Sequence, residues 1–389
     1  MPGTNSCIRR IAILGTAAML VAGTGTADAL AVSGSPTIVD LGTLGGTYSD
    51  AEDINDAGVI VGRATTADGQ THAAKWDRHG TIADLGAIGE AHRVNARGEI
   101  VGTTRLPSGR THAMRWDRHG VATDLGTLPG GQESRGSAIN DDGVVVGSGY
   151  ALGPNNTLFN HALRWDQSGQ IVDLGPAEDA YGINNAGITI GATAVNGNRA
   201  AKWDARGTMI ALDQLPGTTY SVGYGINDAG MAVGYAETRP SKGHTVRWDA
   251  QGRITDLGAL PGGEYSTAGA IGDDGTVVGI STTTGELYPY HAVRWDRWGR
   301  ITDLGILPGE MASDARTVNR HGTAAGVSGQ SAVLWDRRGR ITNLGSLVDG
   351  GRSAAYAINN HGLVVGLGSA PDGSFHAMLW RPSSRATAP

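Results

Sequence analysis

The chain of 389 residues is short of three things. It has one cysteine, Cys7, and two phenylalanines. It also has no basic excess, with 31 Lys and Arg against 37 Asp and Glu and a net charge of −6. A lone cysteine excludes an internal disulfide, so a packed core must hold the fold, and a chain of this length can build one. An acidic chain without a basic face argues against nucleic acid as a partner. Glycine is abundant, at 62 residues, and there are 9 tryptophans. Many glycines with few proline runs point to many tight turns rather than to disorder.

Residues 1–31 read as a signal peptide. Arg9 and Arg10 form a positive start, and "IAILGTAAMLVAG" (11–23) is an apolar segment too short for a comfortable membrane span. "ADA" (27–29) or "ALA" (29–31) offers a cleavage site. Secretion is expected, periplasmic in a Gram-negative cell, with no membrane span after cleavage. The alternative is an uncleaved anchor, and the paired arginines leave the twin-arginine route open. Residues 32–36 form a short linker, and 382–389 a disordered tail.

Between residues 37 and 381 four signatures alternate, each eight times. The first is "DLG", as at Asp84, Asp124 and Asp303, blurred at 212–215 and changed to Asn343 in one copy. The second is "IN-x-x-G", as at Ile54-Asn55 and Ile226-Asn227, with Gly272 replacing the Asn once. The third is "VVG" or a near relative, ending at glycines such as Gly62, Gly191 and Gly366. The fourth is "HAxxW", ending at Trp76, Trp116, Trp165, Trp203, Trp248, Trp295, Trp335 and Trp380.

Each signature is a short run rich in Val, Ile, Thr or Trp, bounded by turn residues, which predicts a strand. "N-D-A-G" (55–58) and the "D-x-x-G" after seven tryptophans suit type I turns closed by a glycine. The unit is thus four antiparallel strands, A to D, in the order "SxAxxIN", "GxVVG", "HAxxWD" and "xITDLG". Such a period predicts an all-β β-propeller of eight four-stranded blades, or seven if the blurred unit at 199–215 forms no blade of its own. A stacked solenoid would need polar capping repeats, and none is evident. The last "HAMLW" (376–380) has no strand D after it, whereas "TIVDLG" (37–42) has no strand C before it. Pairing the two would close the ring and remove exposed edges.

The tryptophan is expected to pack between neighbouring blades. The Lys or Arg before it is read as an apolar stem with its charge at the rim. Strand C histidines a whole blade apart cannot converge on one ion, so a structural role is expected and no metal or cofactor is implied. The "INDAG" turns lack the full ligand run of a calcium loop. The glycine-rich "LGG" and "LPGG" stretches are read as blade-to-blade crossings, not phosphate cradles.

The composite "HAxxW…G…DLGxLxGxxSxAxxINxxGxVVG" resembles the bacterial extracellular HAF repeat family over nearly all of 37–381. His-Ala recurs in five units, though Phe is never third. The resemblance implies export and a repeated β-fold, and no established activity, so no catalytic residue can be carried over.

Function on such a frame sits in loops that break the repeat. The B–C loops at 147–160 and 279–290 and the D–A loops share one face. Ligand contacts are expected there from Tyr150, Phe159, Tyr220, Tyr265, Tyr288 and Tyr290, with Glu90, Glu133 and Glu264. Tyr48, Glu178, Asp179, Glu286 and Glu310 lie in the same loops. The main expectation is a monomeric secreted binding or scaffold module that takes an extracellular glycan or protein. An alternative is an extracellular lyase or hydrolase with paired carboxylates, such as Glu90 and Glu133, at the channel mouth. A third is a structural cell-surface protein without a small ligand.

Overall fold

A computed structural model describes residues 36–152, 157–195, 197–239, 242–284 and 290–381. The expected signal peptide, the linker up to residue 35, the tail and Tyr288 lie outside the described residues. The described chain is all-β, with thirty strands and no helix. The strand order of each set follows the sequence signatures. Thus Tyr220–Ile226, Ala232–Arg239, Lys242–Trp248 and Ile254–Gly258 form one antiparallel sheet in chain order. The unit at 199–215 also has its fourth strand, the two-residue Met209–Ile210, paired to Lys202 and Trp203.

At two points the expected D and A strands are one. Ile82–Val94 and Ile171–Ile183 each run thirteen residues without a break, pairing first with one sheet and then with the next. Both sequences lack the "LPGG" crossing, so nothing forces the chain to turn between "DLG" and the following strand A. The two ends of the described chain also meet. Strand β1 (Thr37–Asp40) pairs antiparallel with β30 (Phe375–Arg381), Ile38 opposite Trp380 and Asp40 opposite Met378.

Burial falls between sheets rather than within one. All eight strand C tryptophans are fully buried. Seven of them donate their indole N–H to a backbone carbonyl of the preceding set, as Trp295 does to Leu257 O at 2.8 Å and Trp76 to Leu41 O at 2.8 Å. Around Trp295 the core joins Val233 of one sheet to Val277 and Val293 of the next. The basic residue before the tryptophan does more than line a rim. Arg294 donates to Gly322 O and Arg337 O of the following sheet, and the buried Lys202 donates to Gly230 O and Ala250 O.

A ladder of side-chain amides links the strand A ends. Asn55 Nδ2 donates to Asn95 O, Asn95 to Asn140 O, Asn140 to Asn184 O, Asn184 to Asn227 O, and Asn227 to Gly272 O. Gly272 has no amide to give. The ladder resumes with Asn319 to Asn359 O, and Asn359 donates to Asn55 O at 3.1 Å, 304 residues away. Asn55, Ala96, Gly272, Asn319 and Asn359, from five different sets, line one cavity of about 310 Å³.

Candidate functional site

Every strand A carries a β-bulge at the same place, three residues after its "SxA" serine position. The register with strand B skips Glu52, His92, Ser137, Tyr181, Tyr224, Gly269, Arg316 and Tyr356 in turn. A bulge re-aims the side chain of its extra residue. The cause is visible in the "VVG" signature. A Cβ on Gly191 would sit 2.2 Å from Asp179 O, and one on Gly62 2.1 Å from Asp50 O. Only glycine lets the bulged strand come that close. The repeated glycine therefore buys a position whose side chain is free to differ from set to set.

Two clusters gather beside these positions, each centred on an aspartate that stays in register with strand B. In the first, Asp50 is buried and accepts from Tyr48 Oη at 2.7 Å and from Arg63 Nε at 3.1 Å. Arg63 also reaches Glu90 of the next set, and its guanidinium lies 5.6 Å from the Tyr48 ring centre. Burial pushes the Asp50 carboxyl upward against the pull of Arg63. On the far side Arg316, bonded to Asp314 at 2.8 Å, lies over the Tyr356 ring.

The second cluster centres on Asp179. Its carboxylate accepts from Ser137 Oγ at 3.2 Å, across from the preceding set. Asp179 is half-buried, and its desolvation pushes its pKa up to about 7 despite the opposing charge of Arg135 and the bond from Ser137. Beside it Glu178 accepts from Tyr220 Oη at 3.0 Å. Burial holds the Tyr181, Tyr220 and Tyr224 hydroxyls well above their ordinary range, so they stay donors. Tyr181 and Tyr224 meet edge to face at 6.1 Å, and Tyr220, Tyr235, Tyr265 and Tyr290 continue the band in steps of 6.4, 5.7 and 6.1 Å.

The loop residues expected to meet a ligand thus separate. Tyr220, Tyr265 and Tyr290 are brought together in the tyrosine band. Tyr150 and Phe159 stand exposed at the end of the Val145–Leu152 and Leu158–Trp165 hairpin, beside Leu152 and Leu158. Glu90 is tied to Arg63, Glu264 is paired with Lys242, and Glu133 is exposed. Sequence reasoning passed over Arg63, Asp50, Arg135 and Tyr181. For Asp50, Arg135 and Tyr181 the available signal was the non-repeating residue inside the otherwise repeating "SxAxxIN". Among the described residues, no group of three or more His, Cys, Asp or Glu is placed to hold a metal ion.

No family model and no curated relative matches the chain. Solved structures similar to it include puromycin hydrolase, at 16% identity over 90% of this chain and 58% of that one, TM-score 0.48. Another is the acylaminoacyl peptidase of Pyrococcus horikoshii, at 10% identity over 84% and 58%, TM-score 0.48. A third is the β-propeller domain of the Trilobed protease from Pyrococcus furiosus, at 11% identity over 78% and 97%, TM-score 0.48. The chain spans little more than half the length of the first two. These neighbours carry the names of peptidases and a hydrolase, not of glycan-binding modules. The expectation of a glycan- or protein-binding module is corrected on the arrangement of its own residues. They form no single outward surface, since the tyrosines pack on one another and the glutamates are paired or scattered.

Proposed function

We propose that the chain is a secreted hydrolase or lyase of the HAF repeat family, built as a closed eight-bladed β-propeller, with its chemistry at Asp179 and Glu178, beside the bulge residues Ser137 and Tyr181. The pairing of Thr37–Asp40 with Phe375–Arg381 and the amide ladder that returns from Asn359 to Asn55 support the ring. The observation that carries the activity is Asp179, a carboxyl held protonated to about pH 7 beside a second carboxylate, Glu178. Two acidic groups in unlike environments divide acid and base work between them. Asp179 gives its proton to a leaving oxygen. Glu178, oriented by the Tyr220 hydroxyl, receives a proton from water or from the substrate carbon. Ser137 and Arg135 fix the Asp179 carboxyl, and the tyrosine band supplies stacking area for a polymeric substrate.

The test is turnover of extracellular polysaccharides and chromogenic glycosides by the chain lacking residues 1–29, with and without Asp179→Asn. Cleavage that falls as pH rises through about 7, and drops at least about 10²-fold in Asp179→Asn, is expected. Full activity in that variant, or no turnover of any substrate, overturns the reading.

A further inference from the structure

Six sets have a histidine at the head of strand C, and each Nδ1 faces an aspartate of strand D at hydrogen-bond distance. Examples are His72 with Asp84, His112 with Asp124 and His161 with Asp173, at 2.9, 2.9 and 2.8 Å. The partners are kept or lost together. Arg199 stands where one histidine would, and Ala211 where its aspartate would, while Ser331 and Asn343 replace the other pair. Five dyads lie within a continuous stretch of chain. The sixth joins the two ends, with His376 of β30 against Asp40 of β1 at 2.9 Å.

That sixth dyad has a third member. Two residues before the other histidines come Gln70, Arg110, Phe159, Lys242 and Pro289. Before His376 comes Ser374, with Oγ 2.9 Å from His376 Nε2, while Nδ1 lies 2.9 Å from Asp40 Oδ1. A hydroxyl, an imidazole and a carboxylate in hydrogen-bonded series form the arrangement that activates a serine, recognised by geometry on any fold. Asp40 holds the proton on Nδ1 and leaves Nε2 to take the hydroxyl proton.

We propose that Ser374, His376 and Asp40 form a nucleophilic site, separate from Asp179, that cleaves esters with good leaving groups. Ser374 Oγ bonds to the acyl carbon while its proton passes to His376 Nε2. The ester C–O bond breaks and the leaving oxygen takes that proton. Water, deprotonated by the same imidazole, then breaks the acyl–serine bond and releases the acid. The neighbourhood limits the substrate. Ser374 N–H donates to Asp372 Oδ1 at 3.0 Å, and Ser374 Oγ also bonds to Asp372. The hydroxyl is thus shared between two acceptors, and the serine's own amide is not free to bind an oxyanion. Without that donor a peptide bond is out of reach, but an activated ester is not.

The test treats the full chain with a fluorophosphonate and maps the adduct by mass spectrometry, with hydrolysis of a nitrophenyl ester measured in parallel. An adduct on Ser374 is expected, absent in Ser374→Ala, a turn substitution that leaves the thermal transition in place. Asp372→Asn, which replaces the charged competing acceptor with a weaker neutral one, is expected to label several-fold faster. His112→Ala, in a dyad without a serine, is expected to label like the parent. Asp179→Asn is expected to label normally, which separates this site from the reading at Asp179. No adduct at Ser374 in either the parent or Asp372→Asn, or ester hydrolysis undiminished in Ser374→Ala, overturns the proposal.

Discussion

Trp295 and Trp298 sit three residues apart and carry opposite loads. Trp295 is fully buried and bonded to Leu257 O, whereas Trp298 is 64% exposed between the guanidinium groups of Arg297 and Arg300. Trp295→Ala is expected to cost ~3–5 kcal/mol in denaturant unfolding. Trp298→Ala is expected to stay within about 0.5 kcal/mol. Period alone distinguishes the two in the sequence, because only the first recurs. Asp179 had no such mark. It looks like any other D–A loop carboxylate, and its raised pKa comes from desolvation where the sets pack together, which outweighs the opposing pull of Arg135 and Ser137 of another set. That desolvation gives stability a pH slope. The folded chain keeps the Asp179 proton up to about pH 7, while an unfolded aspartate loses it near pH 4. Between those values the folded state binds more protons, so the contribution is full below about pH 4 and is lost as pH rises through 7. Asp179→Asn is expected to flatten this slope, measured as the change in melting temperature between about pH 5 and about pH 8.

At the scale of elements, the strands were legible because turn chemistry brackets each one. The fusions at Ile82–Val94 and Ile171–Ile183 were not, because a strand that ends by default and one that continues share the same residues until a breaker is missing. The bulges were hidden for a related reason. They shift the alternation by one residue, and only the close approach to the "VVG" glycine reveals them. The amide ladder gives a direct test at its gap. Gly272 has no positive φ, and a Cβ there would meet nothing nearer than Asp274 Oδ1 at 3.3 Å, the end of a flexible side chain. Gly272→Asn supplies the missing donor and removes glycine's freedom in the unfolded chain. It is expected to stabilise by about 1 kcal/mol, read as a higher unfolding midpoint at unchanged m-value. A lower midpoint would show that the gap is needed.

Across the whole molecule, the pairing of β1 with β30 means that no covalent bond joins one strand C to its strand D. Elsewhere a five-residue link makes that step, as from Trp76 to Ile82, which face each other in register. Trp380 faces Ile38 in the same way. A permuted chain that joins Trp380 to Ile38 through Asp-Arg-His-Gly-Thr, and opens between Arg337 and Arg338, is expected to fold to the same sheets. Its far-ultraviolet dichroism should match the parent's, and its melting temperature should be no lower. Failure to fold would mean that the junction needs its break.

The same pairing also sets an order on biosynthesis. Thr37–Asp40 finds its partner only in Phe375–Arg381, so this sheet waits while the 336 residues from Asp40 to His376 are made. Any product cut short before Phe375 exposes Thr37–Asp40 as an adhesive edge. Premature termination is thereby turned into a recognisable defect, one that a protease can act on.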